Sequence, residues 1–214
     1  MAKVKVGVID YGVGNLGSVA NAVSAVGGEP RVSSNTTELG LCERLILPGV
    51  GAFQHGMKAL IEAGLDQFIY DYVAKDKPLL GICLGMQMLV EHSMEFGETA
   101  GLGLLPGRIT KLESAHGGQP IRLPNVGWLP VMPIAASDDD LVAQLFLGVD
   151  PTARFYFIHS FAAAADSPVS AAVSEYEGIR FASVIARKNI VGTQFHPEKS
   201  GPRGLQVLGN FISR

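Results

Sequence analysis

The chain has 214 residues, 47% hydrophobic and 17% charged, where a typical soluble domain is roughly 25% charged. That length and apolarity can bury a full core without disulfides or metals, which excludes a disordered tail, a coiled coil and a small disulfide scaffold. A formal net charge of −3 leaves no basic footprint for nucleic acid, and no run approaches ~18 uninterrupted apolar residues, so neither nucleic acid nor a membrane is an expected partner.

Met1-Ala2-Lys3-Val4-Lys5 leads to Asp10 without the long apolar run of an export signal, and the cysteines are Cys42 and Cys83. Reduced thiols in a cytoplasmic setting are therefore expected. The low charge also points to surface covered by a partner subunit.

Residues 4–9 form a near-continuous apolar run of strand length, as for a parallel strand covered on both faces. Residues 16–26 have apolar positions at helical spacing and stop at Gly27-Gly28. Short strands are expected at 30–33 and 44–47, the latter closed by Pro48, then helices at 53–63 and 65–74 around Gly64. Residues 78–82 read as a fourth strand, followed almost without a loop by a helix at 84–94. This β-α rhythm predicts a parallel sheet flanked by helices.

The second half reads as strands at 107–112, 154–161, 169–174, 182–187 and 190–195, with a hairpin turn at Lys188-Asn189, and a closing helix at 204–212. With no linker or repeat, the expectation is one α/β domain over 1–214. Its central mixed, mostly parallel sheet gains antiparallel edges from the later strands.

The chemistry centres on Gly81-Ile82-Cys83-Leu84-Gly85, a G-x-nucleophile-x-G turn between a buried strand and a helix, with Cys where Ser is usual. A sharp strand-to-helix turn needs small residues two before and two after the nucleophile. The nucleophile then sits at a helix N-terminus, where free N–H groups favour a thiolate and the Leu84 amide can serve as an oxyanion donor. A free Cys is most often a small buried hydrophobe, and Cys42 is read that way. The symmetric glycines reverse that reading for Cys83.

A thiolate nucleophile needs a base. His55 and His92 on predicted helices and His116 in a polar loop read as surface groups, whereas His159 and His196 lie at strand ends. Pro197 and Glu198 follow His196, and in extended chain residues two apart point the same way, so Glu198 can hold one ring nitrogen and leave the other for Cys83. After the third strand, Pro48-Gly49-Val50-Gly51 can turn a backbone N–H toward a neighbouring strand end as a second oxyanion donor. A competing signal is Gly12-x-Gly14-x-x-Gly17, a dinucleotide fingerprint in position, but its strand ends Val32-Ser33-Ser34-Asn35 without the acidic residue that would hold ribose.

With Met86 and Gln87 after the elbow and Gln194-Phe195-His196-Pro197-Glu198 near the end, the sequence resembles the triad (class I) glutamine amidotransferases. Within them, Asp10-Tyr11-Gly12-x-Gly14-Asn15-Leu16, Met86-Gln87 and Gly101-Leu102-Gly103-Leu104-Leu105-Pro106-Gly107 are similar to the branch serving histidine biosynthesis. The resemblance implies Cys83 as nucleophile, His196 as base then acid, Glu198 as orienter, and Leu84, Gly49, Val50 and Gly51 as the oxyanion elements. It further implies that Gln87, Glu95, Ser160 and Phe161 hold glutamine. Asn15, Trp128, Tyr156 and Lys199 would face a cyclase subunit of (β/α)8 fold in a heterodimer, along the ammonia passage. No metal or cofactor is implied. The sequence departs from the family at Asn125-Val126-Gly127-Trp128-Leu129, where His-Met-Gly-Trp-Asn is frequent, and at Phe161, where Tyr is common. The residues alone also leave open an amidotransferase subunit for another synthase, a stand-alone cysteine hydrolase and a non-catalytic nucleotide-binding module.

Overall fold

The computed structural model describes residues 3–113, 121–134 and 140–213; His116 lies outside them. In chain order the elements are β1 (Lys5–Ile9), α1 (Leu16–Ala25), β2 (Glu29–Ser33), α2 (Thr36–Gly40), β3 (Arg44–Leu47), α3 (Phe53–Glu62), α4 (Leu65–Val73), β4 (Leu79–Ile82) and α5 (Leu84–Met88). Then come β5 (Val90–Ser93), β6 (Thr99–Ala100), β7 (Leu105–Lys111), β8 (Asn125–Pro130), β9 (Met132–Pro133), α6 (Asp140–Leu145), β10 (Arg154–His159) and β11 (Phe161–Ala163). The chain closes with β12 (Ser170–Tyr176), β13 (Ile179–Arg187), β14 (Ile190–Thr193), a 3-10 turn at Pro197–Lys199 and α7 (Gly201–Ile212).

The main sheet has eight strands in the order β2-β1-β3-β4-β14-β13-β12-β9. The first five run parallel, and β13, β12 and β9 add antiparallel pairs, including the expected hairpin between β13 and β14. Alternation along the strands fills two cores. Val6, Val8, Ile46, Leu80 and Val191 point to the side covered by Val19 and Val23 of α1 and Val207, Leu208 and Phe211 of α7. Ile9, Leu45, Leu47, Leu79 and Ile190 point to the side covered by Phe53, Met57 and Leu60 of α3 and Leu65 and Ile69 of α4. Strands buried on both faces read as unbroken apolar runs for this reason.

Three sequence expectations change. The helix expected over 84–94 ends at Met88, and Val90–Ser93 is a strand, so His92 lies on β5 rather than on a helix. The carbonyls a longer helix would need are taken by a neighbouring segment: Leu102 N–H donates to Met88 O (2.8 Å), Gly101 N–H to Glu91 O (2.8 Å) and Leu105 N–H to Leu89 O (3.0 Å). The strand expected over 154–161 breaks at Ser160, because β10 pairs with β8 while β11 crosses to β7. Among the described residues the strands thus form two small sheets beside the main one, a ribbon of β10 and β8 and a four-stranded β11-β7-β5-β6 sheet. No described helix is long and apolar enough to cross a membrane.

Candidate active site

Register places the site. Leu47 of β3 pairs with Gly81 of β4, and Thr193 of β14 with Ile82 of β4. Whatever follows these three parallel strands therefore emerges at one edge of the sheet: Pro48-Gly49-Val50-Gly51 after β3, Cys83 after β4 and His196 just beyond β14.

Cys83 alone joins β4 to α5, with φ 54° and ψ −108°, a backbone conformation that costs an L-residue about 1–3 kcal/mol unless its surroundings enforce it. Here they do. The Cys83 N–H donates to Thr193 O at 2.8 Å, and its carbonyl accepts from Gln87 N–H at 3.1 Å. A β-carbon on Gly85 would stand 1.8 Å from the Leu47 carbonyl oxygen, and one on Gly81 would stand 2.7 Å from Met86 N and 2.8 Å from Gly85 O. Both flanking glycines are thus required by close backbone approach at the turn.

His196 follows β14, its N–H bonded to Tyr156 O (2.9 Å). Its Nδ1 lies 2.8 Å from Glu198 Oε1, with both side chains 2% exposed. Among the described residues its buried Nε2 has no conventional hydrogen-bond partner. Burial alone would pull the imidazole pKa down, but Cys83 and Glu198 outweigh it and push the value up to about 9. The ring is thereby poised to carry a proton beside the sulfur.

Cys83, His196 and Leu84 line one cleft of about 400 Å³, together with Val50, Gly51, Gln87, Glu95, Ser160, Phe161 and Lys199. The Gln87 Nε2 group donates to Phe161 O (2.9 Å) and to Gln194 Oε1 (3.0 Å), and Gln194 Nε2 lies 3.7 Å from Cys83 Sγ. Glu95 Oε2 accepts from the Phe53 N–H at 2.7 Å, supplying the cap that Ala52 cannot give α3. Ser160 sits where the chain leaves the ribbon, its carbonyl accepting from Leu112 N–H. Gly49 is buried just behind the cleft wall, between Tyr11 and the start of α5.

Of the residues expected at a partner surface, Lys199 is exposed on the cleft rim. Trp128 is 47% exposed on the outer face of the β8 and β10 ribbon, edge-on to Tyr156 at 5.9 Å. Val126 and Ile158 extend that apolar face. Asn15 is exposed, its side chain capping α1 through the Ser18 N–H.

Sequence reasoning missed four features. His159 lines the cleft but is buried, with Nδ1 donating to Phe161 O (3.0 Å) and Nε2 accepting from Asn125 Nδ2 (3.1 Å). Burial first, and then His196, drive its pKa down to about 4 against the Phe161 bond, so the ring is neutral. Phe96, exposed on the rim with φ 55°, carries no local signal beyond the Gly97 beside it. Gln194 stands two residues before His196, and Tyr11 stands in the glycine-rich opening; neither had a role in the motif reading. That opening packs inward: a β-carbon on Gly14 would meet Gly49 N and Pro48 at 3.7 Å. Among the described residues no group of three or more His, Cys, Asp or Glu side chains is placed to hold a metal ion.

The family model described as glutamine amidotransferase class-I matches residues 7–214. A relative from Wolinella succinogenes, named imidazole glycerol phosphate synthase subunit HisH, is 40% identical over 206 residues, covering 96% of this chain and 98% of its own. A relative of the same name from Desulfitobacterium hafniense is 42% identical over 207 residues, covering 96% and 92%. Among solved structures, PurLQS from Thermotoga maritima superposes with a TM-score of 0.71 at 20% identity, covering 99% of this chain and 98% of that one, which speaks to the fold.

Proposed function

The chain belongs to the class-I glutamine amidotransferase family, and from that premise we propose that it is the glutaminase subunit of an imidazole glycerol phosphate synthase, a cytoplasmic enzyme of histidine biosynthesis. Residues 1–214 are its single amidotransferase domain. The observation that carries the reading is identity of about 40% along nearly the whole of both chains to relatives of that one name.

In this reading the Cys83 thiolate, paired with a His196 ring that already carries the proton, attacks the carboxamide carbon of glutamine. The tetrahedral oxyanion rests on the Leu84 N–H and on an N–H of the Gly49, Val50 and Gly51 segment. As the C–N bond breaks, the His196 imidazolium gives its Nε2 proton to the leaving nitrogen, releasing ammonia and a γ-glutamyl thioester. Water then attacks, His196 takes its proton, and glutamate leaves as the thiolate–imidazolium pair re-forms. Glu198 holds His196 Nδ1 throughout. Gln87, Glu95, Ser160 and Phe161 hold the substrate in the cleft. Ammonia in bulk water at neutral pH is mostly protonated and unreactive, so it passes directly to a cyclase subunit of (β/α)8 fold docked over Asn15, Trp128, Tyr156 and Lys199. There it is consumed in making imidazole glycerol phosphate and aminoimidazole carboxamide ribotide.

The test uses the complex with the synthase subunit. Cys83→Ala should abolish glutamine-dependent product formation and leave ammonia-dependent formation intact. Equal loss of both would make Cys83 structural, and a chain that hydrolyses glutamine at full rate alone would be a stand-alone hydrolase.

A further inference from the structure

The strand next to β3 in the sheet is β1, and its C-terminal end delivers Tyr11 to the same edge that carries Pro48-Gly49-Val50-Gly51 and Cys83. Tyr11 is buried, and its hydroxyl donates to the Pro48 carbonyl at 2.7 Å. That carbonyl and the Gly49 N–H belong to one planar peptide, so the bond fixes the plane from which the oxyanion segment departs. The segment is also wedged: a β-carbon on Gly49 would lie 2.7 Å from the Tyr11 hydroxyl oxygen, 2.9 Å from Gly85 N and 2.9 Å from Leu84 Cβ. Gly49 is thus held between the phenol and the turn that presents the Leu84 N–H. Beyond it Val50 is exposed, and Gly51, at φ 95°, has no atom of the described residues within 4 Å of where a β-carbon would stand, so restraint ends within two residues of the clamp.

We propose that Tyr11 is a positioning residue for oxyanion stabilisation: by bonding the Pro48 carbonyl it sets the Pro48-Gly49 peptide against the Cys83 turn and aims the N–H groups that follow. The inference rests on the glutaminase reading above. Burial, and after it the neighbouring Cys83 charge, hold the phenol's pKa well above its ordinary value, so the hydroxyl remains a donor at any working pH. The loop that bears Tyr11 continues through Gly14, packed on Pro48 and Gly49, to exposed Asn15, which gives the clamp a covalent path to the proposed partner face.

The experiment is Tyr11→Phe in the complex with the synthase subunit, which removes one oxygen and keeps the ring. Aim at the oxyanion matters only in the tetrahedral state, so kcat for glutamine hydrolysis should fall about five- to tenfold, the worth of one neutral hydrogen bond, with KM unchanged. Alkylation of Cys83 by iodoacetamide displaces iodide at a saturated carbon and forms no oxyanion, so its rate should not move. An unchanged or higher kcat overturns the proposal, and an equal fall in alkylation overturns it too, since the bond would then support Cys83 itself. A wild type that cannot hydrolyse glutamine in the complex overturns the glutaminase reading and the clamp with it, whereas an active wild type matched by Tyr11→Phe overturns the clamp alone.

Discussion

Replacing Glu198 by Gln removes the charge that faces His196 while keeping the shape of the side chain. The rise of His196 from 6.5 to about 9 corresponds to about 3 kcal/mol of preference for the imidazolium. Cys83 supplies part of this, so the share lost with the carboxylate is on the order of 1–2 kcal/mol, or about five- to thirtyfold in a step that needs the protonated ring. The kcat for glutamine hydrolysis should fall by that factor, less than for loss of Cys83 or His196, because an amide can still hold the ring in place. The pH dependence of stability gives a second readout. A folded-state value above the ordinary one means that the pair's contribution is fully present below pH 6.5 and is lost as pH rises through about 9. The Tm advantage of wild type over Glu198→Gln should therefore be greatest near neutral and acidic pH, and should shrink toward about pH 10 as the ring deprotonates beside a buried carboxylate. A Tm gap that stays constant across that window, or a kcat loss equal to that of Cys83→Ala in folded protein, would refute the charged-pair argument.

The elbow and the proposed partner face lend themselves to simpler tests. Gly85→Ala puts a methyl 1.8 Å from a backbone oxygen that cannot swing away, so it should cost about 3 kcal/mol or more and abolish glutaminase activity. Gly17→Ala, in α1 with open space at its β-carbon and no positive φ, should stabilise the isolated chain by up to about 1 kcal/mol. Thermal melts showing similar effects for the two would mean that close approach at position 85 is not what fixes the turn. Trp128→Ala should weaken binding to the synthase subunit by about tenfold or more in a calorimetric titration while leaving the Tm of the free chain within a few degrees; unchanged affinity would take the ribbon out of the interface. Lys199→Ala should reduce stimulation of glutamine hydrolysis by the synthase subunit more than the basal rate, and equal stimulation would remove it from the coupling path.

What the sequence made legible follows from how locally each feature is determined. β1, β3, β4 and β14 are buried on both faces, so each shows as an apolar run regardless of its neighbours, and the parallel arrangement follows from the helices between them. Residues 84–94 could not be resolved this way, because apolar Leu84, Met86, Met88, Leu89 and Val90 suit a helix until Gly101, Leu102 and Leu105 arrive to claim the carbonyls at its end. The same distinction runs through the site. The Cys83 turn is legible because Gly81 and Gly85 lie two residues away on either side, and the Glu198 contact because it is two residues from His196. Tyr11 and Pro48, by contrast, are 37 residues apart in sequence, and Gln87 and Gln194 are 107 apart; each pair is joined only once the parallel strands are in register. His159 shows the limit most plainly, since it shares only the strand-end position of His196 and lacks the Pro-Glu that follows that residue. Only the fold decides that the His196 ring also meets the sulfur while that of His159, bonded to Asn125 and the Phe161 carbonyl, is held neutral.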